Sequence, residues 1–435
     1  MPLRKQSATS LLVLLLVALL PFERIPSIDI GGITIRLSML AGLALIFIGG
    51  PTLWRRRSEL IRSPWAWLAG YLFIGLISAS LSINTTRSLK ILAFTAFVLV
   101  LSWAVSVFCT KIPKQYLLIA LMISTVITIG FGFYQFFGDL LGLPTTLTGL
   151  RAAYTKSVFG FPRIQSTGLE PLYYANFLLI PGALSVLLYI TRSARWGLAL
   201  LAILTTVWLT LSRGAYWGFI VVLVIGLGLA VWQGAYRKAL GLIIIAAVSV
   251  GLALGLIVFG SSFNTSPNHA SASTNVKKFQ QQSTNIQQGE SVEGRAFSRK
   301  FAFDLFKDNP VIGVGPGVYG VYAQHQHPER YSNNSGIVNN ETLEILSETG
   351  ILGFVAILGF VASITWRFVA YLKQVKKRAF TSNDIWVFGL LTAMVATAIQ
   401  YQAFSTLYII HIWVAIGLLV GLLNYPSRDS LKVTK

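Results

Sequence analysis

The chain has 435 residues, of which 54% are apolar and only 11% charged, with a mean hydropathy of +0.67 and a formal net charge of +20. That much apolar surface cannot be hidden in one water-soluble core. One cysteine, Cys109, excludes an intramolecular disulfide.

Apolar stretches close to the length that crosses a bilayer lie near 9–22, 33–50, 64–82, 88–109, 115–138, 172–191, 196–211, 214–233, 238–260, 341–372, 384–404 and 407–424. They predict an all-α polytopic membrane protein with about twelve transmembrane helices. Residues 1–260 hold the first nine helices, 261–340 a large loop, and 341–435 the last three helices and a tail. Arg4 and Lys5 before the apolar run Leu11–Leu20 have secretory-signal character, but no small-x-small cleavage site follows, so a retained first helix is expected.

The strong basic charge raises nucleic acid as a partner, and its distribution argues against it. With both termini cytoplasmic, the inner loops collect nineteen cations, from Arg4 and Lys5 through Arg55, Arg56 and Arg57 to Lys376, Lys377, Arg378, Arg428, Lys432 and Lys435, against Glu59, Asp384 and Asp429. The outer side holds fifteen cations and twelve acids. This asymmetry follows the positive-inside rule, so the charge is topological, and loops 139–171 and 261–340 are expected to face outward.

Within the long loop, Ser261–Gly294 is rich in Ser, Asn, Gln and Thr and is expected to be mobile. From Arg295 to Lys307 the spacing is helical, with Phe297, Phe301 and Leu305 on one stripe and Arg295 and Arg299 a turn apart on another. Such a helix can lie on the membrane surface with its phenylalanines down. Asp308-Asn309-Pro310 stops it, and Gly313-Val314-Gly315-Pro316-Gly317 reads as a tight turn, since no Gly-Lys-Ser/Thr follows to make a nucleotide loop.

Three outward cations stand out by position. Arg213 sits in the short connection Leu211-Ser212-Arg213-Gly214, Arg163 in the second outer loop, and Arg295 at the start of the amphipathic segment. The planar guanidinium suits phosphate because it donates paired charge-assisted hydrogen bonds and keeps its proton, although a headgroup anchor would also use arginine here. Glu341, Glu344 and Glu348 follow at i, i+3 and i+7 on the first turns of the tenth span, where the helix dipole favours acids in any case, with Asn339 or Asn340 as the cap. His325 and His327 flank Gln326 without an acidic or cysteine partner close by, a weak metal pattern, and His411 reads as a hydrogen-bonded packing residue.

Leu211-Ser212-Arg213-Gly214-Ala215, the run from Arg295 through Asn309-Pro310-Val311-Ile312-Gly313-Val314-Gly315, and Asn339-Asn340-x-x-Leu343-x-x-Leu346-x-Glu348-x-Gly350 resemble, in that order, the O-antigen ligase and polymerase superfamily. The resemblance spans nearly the whole chain. It implies a bacterial inner-membrane enzyme with a periplasmic loop before the tenth helix, working without metal or nucleotide. The implied partners are an undecaprenyl-pyrophosphate-linked glycan donor, a lipid A core or lipid-linked glycan acceptor, and membrane lipids. Carried onto this chain, it gives Arg213 and Arg295 the donor pyrophosphate, with Arg163 and Arg299 as further candidates.

One departure concerns the base. Ligases place His-Asn-x-x-Leu before the tenth helix, and here that histidine position is Asn339, whose amide cannot accept a proton at neutral pH. Glu341 or Glu344 could take the role, His325 and His327 could fold back to it, or the reaction could lean on leaving-group stabilisation. A polymerase-type or diverged member would also fit. A transporter of a small anion and a non-catalytic assembly partner are the other readings, though transporters place ionisable residues near the bilayer midplane and this chain gathers them at its two faces.

Overall fold

The computed structural model describes residues 7–30, 33–62, 64–261, 290–375, 380–405 and 407–424. Arg4, Lys5, Lys376, Lys377, Arg378, Arg428, Lys432, Lys435, His269 and most of the polar stretch 261–294 lie outside them. Among the described residues, eight helices are long and apolar enough to cross a membrane: α2 (Leu37–Arg55), α4 (Thr85–Phe108), α5 (Lys114–Leu140), α8 (Pro171–Thr191), α10 (Arg213–Trp232), α11 (Tyr236–Ser261), α14 (Glu341–Val375) and α15 (Ser382–Gln400). Four shorter apolar helices, α1 (Ala8–Leu19), α3 (Trp65–Ser80), α9 (Trp196–Leu209) and α16 (Ile410–Leu423), fall where the remaining spans were expected. Short helices α6 (Thr145–Thr148) and α7 (Lys156–Phe159) lie in one long connection, and α12 (Glu290–Asp308) and α13 (Tyr319–Gln326) precede α14.

One element departs from the all-helical expectation. Ser27–Ile30 (β1) and Ile33–Arg36 (β2) pair antiparallel, Ser27 opposite Arg36 and Ile30 opposite Ile33, so α2 starts at Leu37 rather than 33. Isoleucines 28, 30, 33 and 35 alternate with polar residues around Gly31-Gly32, a strand period that the apolar window average conceals.

The bundle is built around α8, whose apolar window is 94% buried against 22% for α11 at the edge. A helix that is apolar on every face belongs in the interior. It packs on α9, α10 and α15, while α16 lies along α4, and α14 along α3. Gly417 and Gly421 of α16 allow the second of these contacts, because a Cβ at either would come within 2.3–2.5 Å of the Ser102 or Ser106 carbonyl oxygen. His411 is buried and hydrogen-bonded as expected: Nε2 lies 2.7 Å from Asn176 Oδ1, and Nδ1 3.3 Å from Glu23 Oε1. Asn176 donates in turn to Gln400, so the end of α1, α8, α15 and α16 share one buried polar line.

Glu290–Gly294, expected with the mobile stretch, form the start of α12. The phenylalanine stripe of this helix is also not laid on lipid. Phe301 and Leu305 are buried with Val314, Val318, Tyr319, Ala323 and Val338, and Phe297 packs beside them. Helix and following loop thus supply each other with a small core that takes up this stripe, while Phe303 stays exposed on another face.

That unit docks on the first turns of α14 backbone to backbone. Val314 N–H donates to the Ser347 carbonyl and Gly315 N–H to that of Glu348, both at 2.9 Å. α14 breaks at Gly350 (φ 64°), where a Cβ would stand 2.3 Å from the Val311 carbonyl carbon. Gly350→Ala therefore combines a disfavoured backbone with a clash and is expected to destabilise the protein by about 2 kcal/mol or more. Gly251→Ala, in open space on α11, is the control. Thermal unfolding in detergent measures both, and equal midpoints for the two variants would refute the docking argument.

Candidate active site

The α9–α10 corner is three residues long, Thr210 to Ser212, and it turns through Leu211 at φ 50°. Ser212 precedes the helix and Arg213 is its first residue, half-buried at the positive end of the helix dipole. The corner is held by Arg163, which donates from Nε to the Thr210 carbonyl at 3.0 Å and from Nη2 to that of Leu211 at 3.2 Å. Arg163 is itself fixed from behind. Its backbone N–H donates to Tyr154, Ile164 N–H to Leu209, and its guanidinium lies 5.2 Å from the Tyr154 ring. Buried Gln165 and Ser166 pin the rest of the loop, with Gln165 Nε2 donating to Leu169 at 2.7 Å and Ser166 N–H to Gln135 Oε1 at 2.7 Å.

α12 brings two more guanidiniums to the same place. Arg299 Nη2 donates to the Gln402 carbonyl in the α15–α16 connection at 2.7 Å. Arg295 is half-buried, and its pKa is pushed down by burial first and then by the charges of Arg213 and Arg299, with Glu170 opposing. Burial likewise lowers that of Arg163, with Arg213 adding to the effect and Tyr154, Tyr216 and Glu170 opposing. The four arginines singled out in the sequence therefore share one electrostatic site, assembled from the 163 loop, the α9–α10 corner and α12.

Asn339 adopts φ 57° and donates its backbone N–H to Ser405 Oγ at 3.1 Å. With Arg295 it lines an open cavity of about 500 Å³. The neighbouring acids sit elsewhere. Ser405 and the Val338 N–H (3.1 Å) both donate to the Glu344 carboxylate, and Glu348 accepts from Gly317 N–H at 2.7 Å and Tyr319 N–H at 3.3 Å. Glu341 is buried, and with Glu344 and Glu348 it lines a separate crevice of about 20 Å³ against Tyr71 and Tyr408. The two carboxylates offered as a base, Glu341 and Glu344, are thus not among the residues lining the cavity that Asn339 shares with Arg295. Asn340 is the cap, its Oδ1 accepting from Leu343 N–H at 3.0 Å while Nδ2 donates to Gln402 Oε1 at 3.1 Å.

His327 does not reach this site as a base. Its ring packs edge-on against Phe297 and Phe301, and Nδ1 lies 3.3 Å from Glu329, while His325 is exposed on α13. Two residues at the site went unmarked in the sequence. Glu170, exposed before α8, is the acid whose field reaches both Arg163 and Arg295, and Arg330 lines the cavity. Below the site an apolar groove of about 390 Å³ runs from Glu341, Thr342 and Gln402 down between α14, α15 and α16.

Chemically, several guanidiniums near one open cavity stabilise negative charge that appears on a bound group. Arg163 differs from the others because its donors brace the corner that carries Arg213. Arg163→Ala is expected to destabilise the protein by about 1.5–3 kcal/mol, and lysine should recover little because it lacks the two-pronged donor. An unchanged unfolding midpoint for Arg163→Ala would contradict this role.

Residues 198–358 match the family model for O-antigen ligase. That segment contains Arg213, Arg295, Arg299, Asn339, Glu341 and Glu344, while Arg163 lies ahead of it. No curated protein matches the chain. Over that segment the chain is similar to the O-antigen ligase family, and its long apolar helices are those of an integral membrane protein.

Proposed function

We propose that this protein transfers a glycan from an undecaprenyl-pyrophosphate carrier to a lipid A core or to a second lipid-linked glycan, at the periplasmic face of the bacterial inner membrane with both termini cytoplasmic. The observation that carries this reading is an open cavity lined by Arg295 and Asn339, with Arg213 and Arg299 near enough for their charges to act on Arg295 and with Arg163 bracing the corner that carries Arg213. The acceptor hydroxyl attacks the anomeric carbon, the bond from that carbon to the pyrophosphate oxygen breaks, and charge builds on the departing phosphate. Arg213 and Arg295 stabilise that charge, the effect that usually supplies the largest share of rate acceleration. The apolar groove leading away from Gln402, whose carbonyl Arg299 holds, gives the polyprenyl tail a path beside the spans.

Asn339 faces the cavity and can orient the acceptor hydroxyl by hydrogen bonding, but it takes no proton. Glu344 already accepts two hydrogen bonds. The departing pyrophosphate oxygen is left as the proton acceptor, so acceleration rests on the arginines rather than on a protein base.

Arg213→Ala and Arg295→Ala should each lower transfer by roughly 10²–10³-fold. Turnover of lipid-linked glycan by purified protein, read on gels, measures this. Wild-type glycan profiles from both variants would overturn the assignment. Asn339→Ala, by comparison, should cost about 10-fold or less, since a neutral hydrogen bond contributes only about 0.5–1.5 kcal/mol.

A further inference from the structure

The cavity beside Arg295 has a second cation that pyrophosphate binding does not account for. Arg330 stands on the loop after α13, its guanidinium 4.5 Å from the Phe297 ring centroid, a contact that fixes its orientation without neutralising it. The cations whose fields reach Arg295 are Arg213 and Arg299. Arg330 lines the cavity together with Arg295. Glu329, its sequence neighbour, turns to His327 Nδ1 at 3.3 Å. Glu293 is exposed near the start of α12 and is not among the lining residues. Among the described residues no acidic side chain lines the cavity, and neither Arg295 nor Arg330 forms an ion pair.

The remaining walls are those of a carbohydrate site. Tyr331 offers ring surface for the C–H face of a sugar, Phe297 seats Arg330, and Ser335 and Asn339 offer hydroxyl and amide groups. The wall does not depend on a ligand for its shape: Tyr331 OH lies 2.9 Å from Ser298 Oγ, and Tyr319 OH donates to the Ser298 carbonyl at 3.1 Å. At about 500 Å³ the cavity is within the usual range for ligand pockets.

We infer that this cavity is a sugar subsite for an acidic glycan unit, in which Arg330 holds an anionic substituent of the sugar while Arg295 faces the pyrophosphate. The inference rests on the glycosyl-transfer reading for its biological meaning, but its chemistry is independent: an anion on a sugar, carried as a carboxylate or as a phosphate ester. A neutral glycan would leave the Arg330 charge without a partner.

The full-length protein in phosphatidylcholine nanodiscs tests this by isothermal titration with trigalacturonate, glucose 6-phosphate, maltotriose and inorganic pyrophosphate. Trigalacturonate or glucose 6-phosphate should bind more tightly than maltotriose, and the tighter of the two identifies the substituent as carboxylate or phosphate. Arg330→Gln should weaken the preferred acidic sugar by roughly 10- to 100-fold, with Arg330→Lys in between. Pyrophosphate should respond to Arg213→Ala and hardly to Arg330→Gln. Equal binding of maltotriose, or an Arg330→Gln protein with wild-type elution profile and undiminished affinity for acidic sugar, would overturn the subsite. Pyrophosphate binding that is absent, or indifferent to Arg213→Ala, would instead overturn the glycosyl-transfer reading while leaving an Arg330-dependent sugar site standing.

Discussion

Like charges brought together repel, and the candidate site is arranged around that constraint. Two unit charges ~8 Å apart in a medium of effective dielectric ~20 oppose each other by roughly 2 kcal/mol, so clustered arginines must be tethered. Carbonyls serve as tethers: those of Thr210 and Leu211 for Arg163, and that of Gln402 for Arg299. A carbonyl fixes a guanidinium while leaving its charge intact, whereas a carboxylate would cancel it. A guanidinium held by a carbonyl keeps its charge for an incoming anion, which relieves the repulsion. Pinning the 163 loop to Gln135 and Gln165 makes sense in the same terms, since the group that restrains a charge must itself be restrained.

The acids close to the site serve the opposite end of this arrangement. Glu344 and Glu348 receive backbone N–H groups from Val338, Gly317 and Tyr319, groups that the irregular chain between α12 and α14 would otherwise bury unsatisfied. They lock the loop onto α14, and Asn340 locks α14 onto the α15–α16 connection through Gln402. Because Arg299 binds the same Gln402 carbonyl region, the arginines and Asn339 are positioned by a common scaffold. Asn339 stands beside this scaffold as a neutral residue facing the cavity, consistent with a reaction driven by stabilising the leaving group.

Where an element of the candidate site depended on local sequence, it was legible. Apolar runs placed the spans, the three-residue corner isolated Arg213, and the stripe of Phe297, Phe301 and Leu305 announced a helix with Arg295 and Arg299 on another face. Periodicity could not name the stripe's partner, because Val314, Val318 and Tyr319 contribute to that core only after the chain reverses at the glycine turn. The same holds for Arg163, whose acceptors lie more than forty residues away, and for Arg330, whose importance comes from Phe297 and a cavity rather than from any motif. The hairpin Ser27–Arg36 was missed for a different reason: strand alternation inside an apolar stretch has the same average hydropathy as a helix.

Gly350 separates α14 into two mechanical parts. The turns from Glu341 to Thr349 carry the loop assembly and also receive Ser78 of α3, while the arm beyond Leu352 runs on to Val375 in the bundle. Bilayers differ in thickness, and a spanning helix answers that difference by tilting. A continuous helix would carry such a tilt straight into the site as a displacement at its far end. At the break, Ile351 N–H donates to the Pro310 carbonyl and Leu352 N–H to that of Val311, so residues 310–315 clasp the helix on both sides of Gly350 and take up such a tilt at the loop instead of along one unbroken rod.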